Sequence, residues 1–170
     1  MLARLSKSQR CKVVHDRDRA EALGGVTVAF AGAHETDAAL TALFDLHAAR
    51  WRLEGEEGVL AEPRVQALHR AAAPALAAAG LLRLTVVRHE GRIVSVLLAF
   101  ADAHRGYSYA IGSDFSVPKQ SFGMLAFAHV IEDCAAEGCT EFHFLRGEEA
   151  YKYQWGAAPM RTVRRTIRRR

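Results

Sequence analysis

The stretch LLRLTVVRHEGRIVSVLLAFADAHRGYSYAIGSD restricts the fold of this chain more than any other. It holds three strand-like runs, Leu81 to Arg88, Arg92 to Ala101 and Tyr107 to Gly112. His89-Glu90-Gly91 and Asp102 to Gly106 supply the turn residues between them, so the runs read as an antiparallel meander. The sequence before it has a different period. GVTVAFA, Gly25 to Ala31, reads as a strand, and Asp37 opens a helix with Leu40, Leu43, Phe44, His47 and Trp51 on one face. Pro63 opens a second helix that stops at Gly80, with Pro74 expected to kink or divide it. After the meander come a helix from Phe122 to Glu137 ended by Gly138, the strand TEFHFLRG, a short helix EEAYKYQW and a last strand PMRTVRRTIRR. A helix joining two strands of one sheet implies a right-handed crossover and a parallel pair. The expected class is therefore α/β: a mixed, mostly antiparallel sheet with helices on both faces. Residues 1–24 are expected as an N-terminal arm, irregular or helical, and residues 25–170 as the domain.

With 170 residues the chain suffices for one domain with a sizeable core. The first twenty residues carry charges throughout and do not read as a secretory signal, and no apolar run is long enough for a membrane span. Cys11, Cys134 and Cys139 have no metal-like spacing and are expected as reduced thiols in a cytoplasmic protein. No histidine–carboxylate spacing suggests a metal site. The net charge of +4 belongs to the C-terminal end: without its six arginines, 17 cations face 19 anions. That end lacks interleaved aromatics, so it reads as a charged strand edge and tail, and nucleic acid is not an expected partner.

Two segments carry chemistry. FLRGEEAYKYQWGA, Phe144 to Ala157, packs aromatics around Arg146, Glu148, Glu149 and Lys152. Polar groups among aromatics line sites, because burying them without partners costs free energy. KQSFGM, Lys119 to Met124, lies between a strand and a helix. There the N–H groups of Ser121, Phe122, Gly123 and Met124, with Lys119 and Gln120 as side-chain donors, could cradle a diphosphate. The alternative is an ordinary helix start with Ser121 as N-cap.

The element order resembles the GNAT acetyltransferase fold, whose coenzyme A pyrophosphate loop reads Gln/Arg-x-x-Gly-x-Gly/Ala. Gln120, Gly123 and Leu125 stand at those positions, Leu125 in place of the small residue. FLRGEEAYKYQWGA is similar to the F-L-R-G-x-E-x-Y-K-x-x-W-G signature of the CelD/BcsL group, acetyltransferases associated with cellulose biosynthesis. The matching residues are Phe144, Leu145, Arg146, Gly147, Glu149, Tyr151, Lys152, Trp155 and Gly156. LFDLHAARW resembles the same group's Leu-His-x-x-Arg-Trp helix.

The resemblance implies an acyl-CoA N-acyltransferase that needs acetyl-CoA as cosubstrate and no metal. The acceptor would be the amine of a small molecule or amino sugar. Acetyl-CoA would enter between splayed parallel strands, Tyr107–Gly112 and Glu141–Leu145, with backbone at Ile111, Gly112 and Ser113 meeting the pantetheine and carbonyl. Tyr151 is the first candidate for general acid and Tyr153 the second. Glu149, then Glu148, is the candidate base or amine anchor. Lys152 is expected to hold a phosphate or an acceptor carboxylate, and His47, Arg50 and Trp51 are expected at the acceptor. The plainer alternatives are core packing for the tyrosines and His47, and an ion pair of Glu149 with Arg146 or Lys152. Two other functions fit: a relative of the aminoacyl-tRNA-using peptidoglycan transferases, and a non-catalytic module that binds coenzyme A or a partner. A homodimer is a further expectation. His143, between Phe142 and Phe144, is expected on the sheet face opposite to them.

Overall fold

The computed structural model describes residues 5–116 and 121–168. In chain order the elements are α1 (Lys7–Leu23), β1 (Val26–Phe30), α2 (Thr36–Leu53), α3 (Pro63–Ala78), β2 (Leu82–His89), β3 (Arg92–Ala101), β4 (Arg105–Ser113), α4 (Phe122–Ala136), β5 (Glu141–His143) and α5 (Ala150–Gln154). A single 3-10 turn, Val59–Ala61, sits between α2 and α3. The sheet order is β1-β2-β3-β4-β5, antiparallel from β1 to β4 and parallel between β4 and β5. The expected meander, crossover and mixed sheet are all present.

Alternation along the strands builds two cores. Leu84, Val86, Val96 and Leu98 pack with Leu40, Leu43 and Phe44 of α2 and Ala73 of α3. Val87, Leu97, Ala99 and Ala101 turn the other way, toward Phe127 and Val130 of α4 and Val13 and Ala20 of α1. Helices therefore cover both faces. Helix α4 is buried over most of its circumference because it lies between the sheet and α1.

One alternative is decided and two expectations need correction. Residues 7–23 take the helical alternative for the N-terminal arm. A reciprocal capping box between Ser6 and Gln9 starts it, and Val13 and Ala20 anchor it in the core. The last strand is not formed: residues 158–168 are irregular and exposed, with Val163 at 87% and Ile167 at 86% exposure. Arginines between those two residues leave no apolar face to bury. Strand β5 ends at His143 instead of reaching Gly147, because Leu145 adopts a left-handed backbone (φ 55°) that turns the chain away. Pro74 lies inside α3 without dividing it.

Candidate active site

The sheet opens where β4 and β5 part. Their pairing runs Arg105↔Glu141, Gly106↔Phe142, Tyr107↔His143 and stops, while β4 continues from Ser108 to Ser113. Asp114 donates its N–H to Val94 O (2.8 Å), and Gly112 O accepts from Ser95 Oγ (2.9 Å), so both residues face β3. Alternation turns the backbone groups of Ile111 and Ser113 toward the open edge. A ligand lying in the cleft would find those groups free to pair.

Glycines set the walls. A Cβ on Gly112 would stand 2.7 Å from Leu46 Cβ and 2.9 Å from both His47 N and Leu43 O, so α2 lies directly on β4 there. A Cβ on Gly123 would stand 3.0 Å from Ser113 Oγ and 3.1 Å from Ile111 Cδ1, so α4 starts against the end of β4. Gly123 thus turns its bare side to the strand. Phe122 and Met124 send buried side chains into the core and offer only backbone to the turn. Ser121 is the N-cap by position, but its side chain makes no capping bond. Met124 N–H is taken by Ser121 O at 2.9 Å, so among the described residues the N–H groups of Phe122 and Gly123 are the ones left to an anion beside the mouth of the cleft. Lys119 and Gln120 lie outside the described residues. The Ser113 hydroxyl is tied to Ser95 Oγ at 2.7 Å, leaving its backbone for a ligand.

Helix α5 and the C-terminal end of α2 close the cleft from two sides. Tyr151 packs its ring on Phe127 (5.3 Å) and Phe144 (6.4 Å). Burial and, secondarily, the nearby Glu149 carboxylate push its pKa up to about 12, while Arg50 pulls it down. The hydroxyl therefore keeps its proton at any working pH. Burial acts against the Glu149 carboxylate, but a hydrogen bond from Lys152, one from a backbone N–H, and the charges of Lys152 and Arg50 hold its pKa below the usual range. Arg50 also pairs with Glu54 (2.8 Å) and lies 5.6 Å from the Phe115 ring centroid. Arg50 thus joins α2, the loop after β4 and α5 in one electrostatic cluster.

Lys152 is 5% exposed and faces inward. Its ammonium binds Glu149 Oε2 at 2.9 Å, Gly147 O at 3.3 Å and Arg146 O. That geometry ties the 146–149 loop together and matches the ion-pair alternative for Glu149 and Lys152. Tyr153 is 45% exposed and lies two residues from Tyr151, on the far side of α5, where its backbone carbonyl accepts from Gln9 Nε2. Glu148 and the Arg146 side chain are exposed at the loop.

His47 is 7% exposed, and its Nε2 accepts from Trp51 Nε1 at 2.9 Å. Burial, then Arg50, lowers its pKa and keeps the imidazole neutral. Gly58 closes over both rings: a Cβ there would stand 2.5 Å from Trp51 Cδ1 and 2.7 Å from His47 Cε1. His47 and Trp51 therefore brace the loop after α2, and Arg50 is the member of that trio that reaches the cleft.

The sequence reading missed Phe115 and Tyr109. Both are large, exposed rings beside the cleft strand, at 60% and 43% exposure. An aromatic within the polar run SDFSVP was the available signal for Phe115.

A family model for the acetyltransferase (GNAT) domain matches residues 7–153. The chain belongs to the GNAT acetyltransferase family. Solved structures agree on the fold. A GCN5-related N-acetyltransferase from Ralstonia eutropha JMP134 superposes with a TM-score of 0.63 at 17% identity, covering 84% of this chain and 99% of that one. Aminoglycoside N-acetyltransferase AAC(6')-Iy in complex with CoA gives 0.58 at 12% identity, over 85% and 95% of the two chains. An aminoglycoside acetyltransferase from an uncultured soil metagenomic sample, in complex with sisomicin, gives 0.56 at 14% identity, over 86% and 97%. No protein of curated function matches the sequence significantly. The match takes in α1, and this acetyltransferase has no helix among its described residues long and apolar enough to cross a membrane.

Proposed function

We propose that this acetyltransferase transfers an acetyl group from acetyl-CoA to the primary amine of a small molecule or amino sugar. The observation that carries the reading is the opened sheet edge: backbone at Ile111 and Ser113, unpaired among the described residues, leads to an α4 N-terminus whose N-cap Ser121 makes no side-chain capping bond. The first can pair with an amide-bearing chain, and the second can receive the diphosphate of coenzyme A. Acetyl-CoA would supply the activated acyl group. Tyr151 would hold a proton above the cleft, ready for the departing thiolate, and Glu149 would stay ionised beside it to attract an ammonium. The Arg146–Gly156 motif supports reading the chain as a member of the CelD/BcsL group. The aminoglycoside acetyltransferase neighbours support a small-molecule amine as acceptor. The free thiols Cys11, Cys134 and Cys139 suit a cytoplasmic setting.

Ser121→Asp tests the cradle. An aspartate at an N-cap position stabilises a helix by up to about 1 kcal/mol, yet it repels a phosphate placed on the same N–H groups. The variant should melt no lower than the parent and bind acetyl-CoA and coenzyme A at least tenfold more weakly by calorimetry. Equal affinity would remove the diphosphate from this turn. An unchanged rate in a Tyr151→Phe, Tyr153→Phe double variant would remove the tyrosine acid.

A further inference from the structure

The split between β4 and β5 exposes two chemically different faces. On the α4 face Phe142 of β5 and Phe144, just beyond its end, pack into the core with Tyr151. On the α2–α3 face the final paired residues, Tyr107 and His143, stack at 5.3 Å with 18° between their planes. Tyr109 follows on the same face, edge-on to His69 of α3 at 5.0 Å and to Phe100 at 6.0 Å. The imidazole of His143 therefore sits at the point where the cleft begins, on the side away from Tyr151.

His143 is not simply a solvated surface residue. Its side chain is 24% exposed, and its Nε2 lies 3.0 Å from Glu141 Oε2. Glu141 is fixed in turn by Arg105 Nε at 2.7 Å, and Tyr107 is held by its hydroxyl donating to Asp102 Oδ2 at 3.2 Å. The charged and titratable groups around the ring are thus Glu141 on its own strand, Arg105 and Tyr107 on β4, and Asp102 in the turn before β4. A carboxylate accepting from Nε2–H sets the tautomer and leaves the Nδ1 lone pair for a proton from outside.

We infer that His143, oriented by Glu141, is the general base that deprotonates the acceptor amine, and that the acceptor approaches across the Tyr107–Tyr109 face. This rests on the acetyl-transfer reading above. His143 Nδ1 takes one proton from the acceptor ammonium and frees its electron pair to form the C–N bond as the C–S bond breaks. The thiolate takes the Tyr151 proton, His143 accepts the second nitrogen proton after releasing the first to solvent, and Tyr151 recovers one proton from solvent. Atoms and charge balance as ammonium plus thioester to amide, thiol and one proton. Acid and base stand on opposite faces of the sheet, so the entering amine and the leaving sulfur do not compete for one space.

The test compares His143→Gln and Glu141→Gln with the parent, using sisomicin, glucosamine and hexylamine as acceptor probes. His143→Gln should bind acetyl-CoA with unchanged affinity by calorimetry. Its kcat/KM should fall on the order of a hundredfold or more and lose the acidic limb of its pH profile. Glu141→Gln should keep the limb with a smaller loss. In the parent, imidazole ¹⁵N spectra should show His143 as the Nε2–H tautomer, a readout that needs no turnover. A Nδ1–H tautomer, or an unchanged pH profile in His143→Gln, overturns the assignment. Absence of acetyl-CoA binding in the parent would instead overturn the transferase reading itself, and the base assignment with it.

Discussion

Replacing Lys152 with methionine separates two roles that its position in the motif leaves open. The ammonium is nearly out of solvent and is shared among Glu149, Arg146 O and Gly147 O. Hydrogen bonds to a charged group contribute about 1.5–3 kcal/mol. Glu149 is half exposed, with a side-chain accessibility of 51%, so the ion pair itself contributes at the low end. Methionine keeps the apolar stem packed, and the loop carbonyls it abandons can reach water. The net cost should be about 2 kcal/mol, a fall of roughly 4–8 °C in Tm for a domain of this size. The loss should depend on pH. Because the Glu149 pKa is depressed in the folded chain, its contribution is present above the unfolded value of about 4.3 and disappears as pH falls through the folded one. The gap between parent and variant should therefore narrow below about pH 4. Scanning calorimetry at pH 7 and pH 3.5, with acetyl-CoA affinity measured alongside, checks both points. An unchanged Tm combined with a large rise in KM for an acceptor would show that Lys152 faces substrate, and the reasoning from its burial would be wrong.

Tyr151→Phe should lower kcat by about a hundredfold with little change in Tm, since the ring keeps its contacts with Phe127 and Phe144; stopped assays of thiol release read it directly. Gly112→Ala should destabilise the fold by about 2–3 kcal/mol in urea melts, because its Cβ meets the backbone of α2 and neither element can yield cheaply. Burial depresses the His47 pKa in the folded chain, so the unfolded chain takes up that proton first, and stability should fall as pH drops below about 6.5. His69 is shifted the same way by burial, so a His47→Gln, His69→Gln double variant should flatten urea midpoints between pH 7.5 and 5.5.

Elements with a strong local period were legible in the sequence. The meander strands fall within a few residues of their expected ends, as do α2, α3 and α4. Helix α1 was harder to read, because only Val13, Asp16 and Ala20 are buried in it and its surface is charged all round. The last strand failed for the opposite reason: alternation between Val163 and Ile167 exists, but no neighbour covers it. At the site, the tyrosine and the acidic pair stand out in their motif as candidates, whereas the inward turn of Lys152 and the reach of Arg50 do not. The reach of Arg50 depends on residues about a hundred positions apart, which no local pattern encodes, and the turn of Lys152 depends on how the left-handed backbone at Leu145 and Gly147 folds the loop carbonyls back onto its ammonium.

The ambiguity of His143 in sequence and its place in the fold have one origin. A segment Phe142-His143-Phe144 buries Phe142 and Phe144 on the α4 side, since Gly106 leaves room for Phe142 against Cys134 there. Period two then fixes His143 on the other face, and the parallel register sets it beside Tyr107, at the last pair before the strands part. The left-handed turn at Leu145 ends the strand and brings α5, with Tyr151, over the phenylalanine side. Packing of two apolar rings thus places one titratable group on each side of the same opening. A chain that kept this packing but exchanged His143 for a non-titratable residue should retain the fold and the opening between β4 and β5 while losing the proton acceptor proposed above.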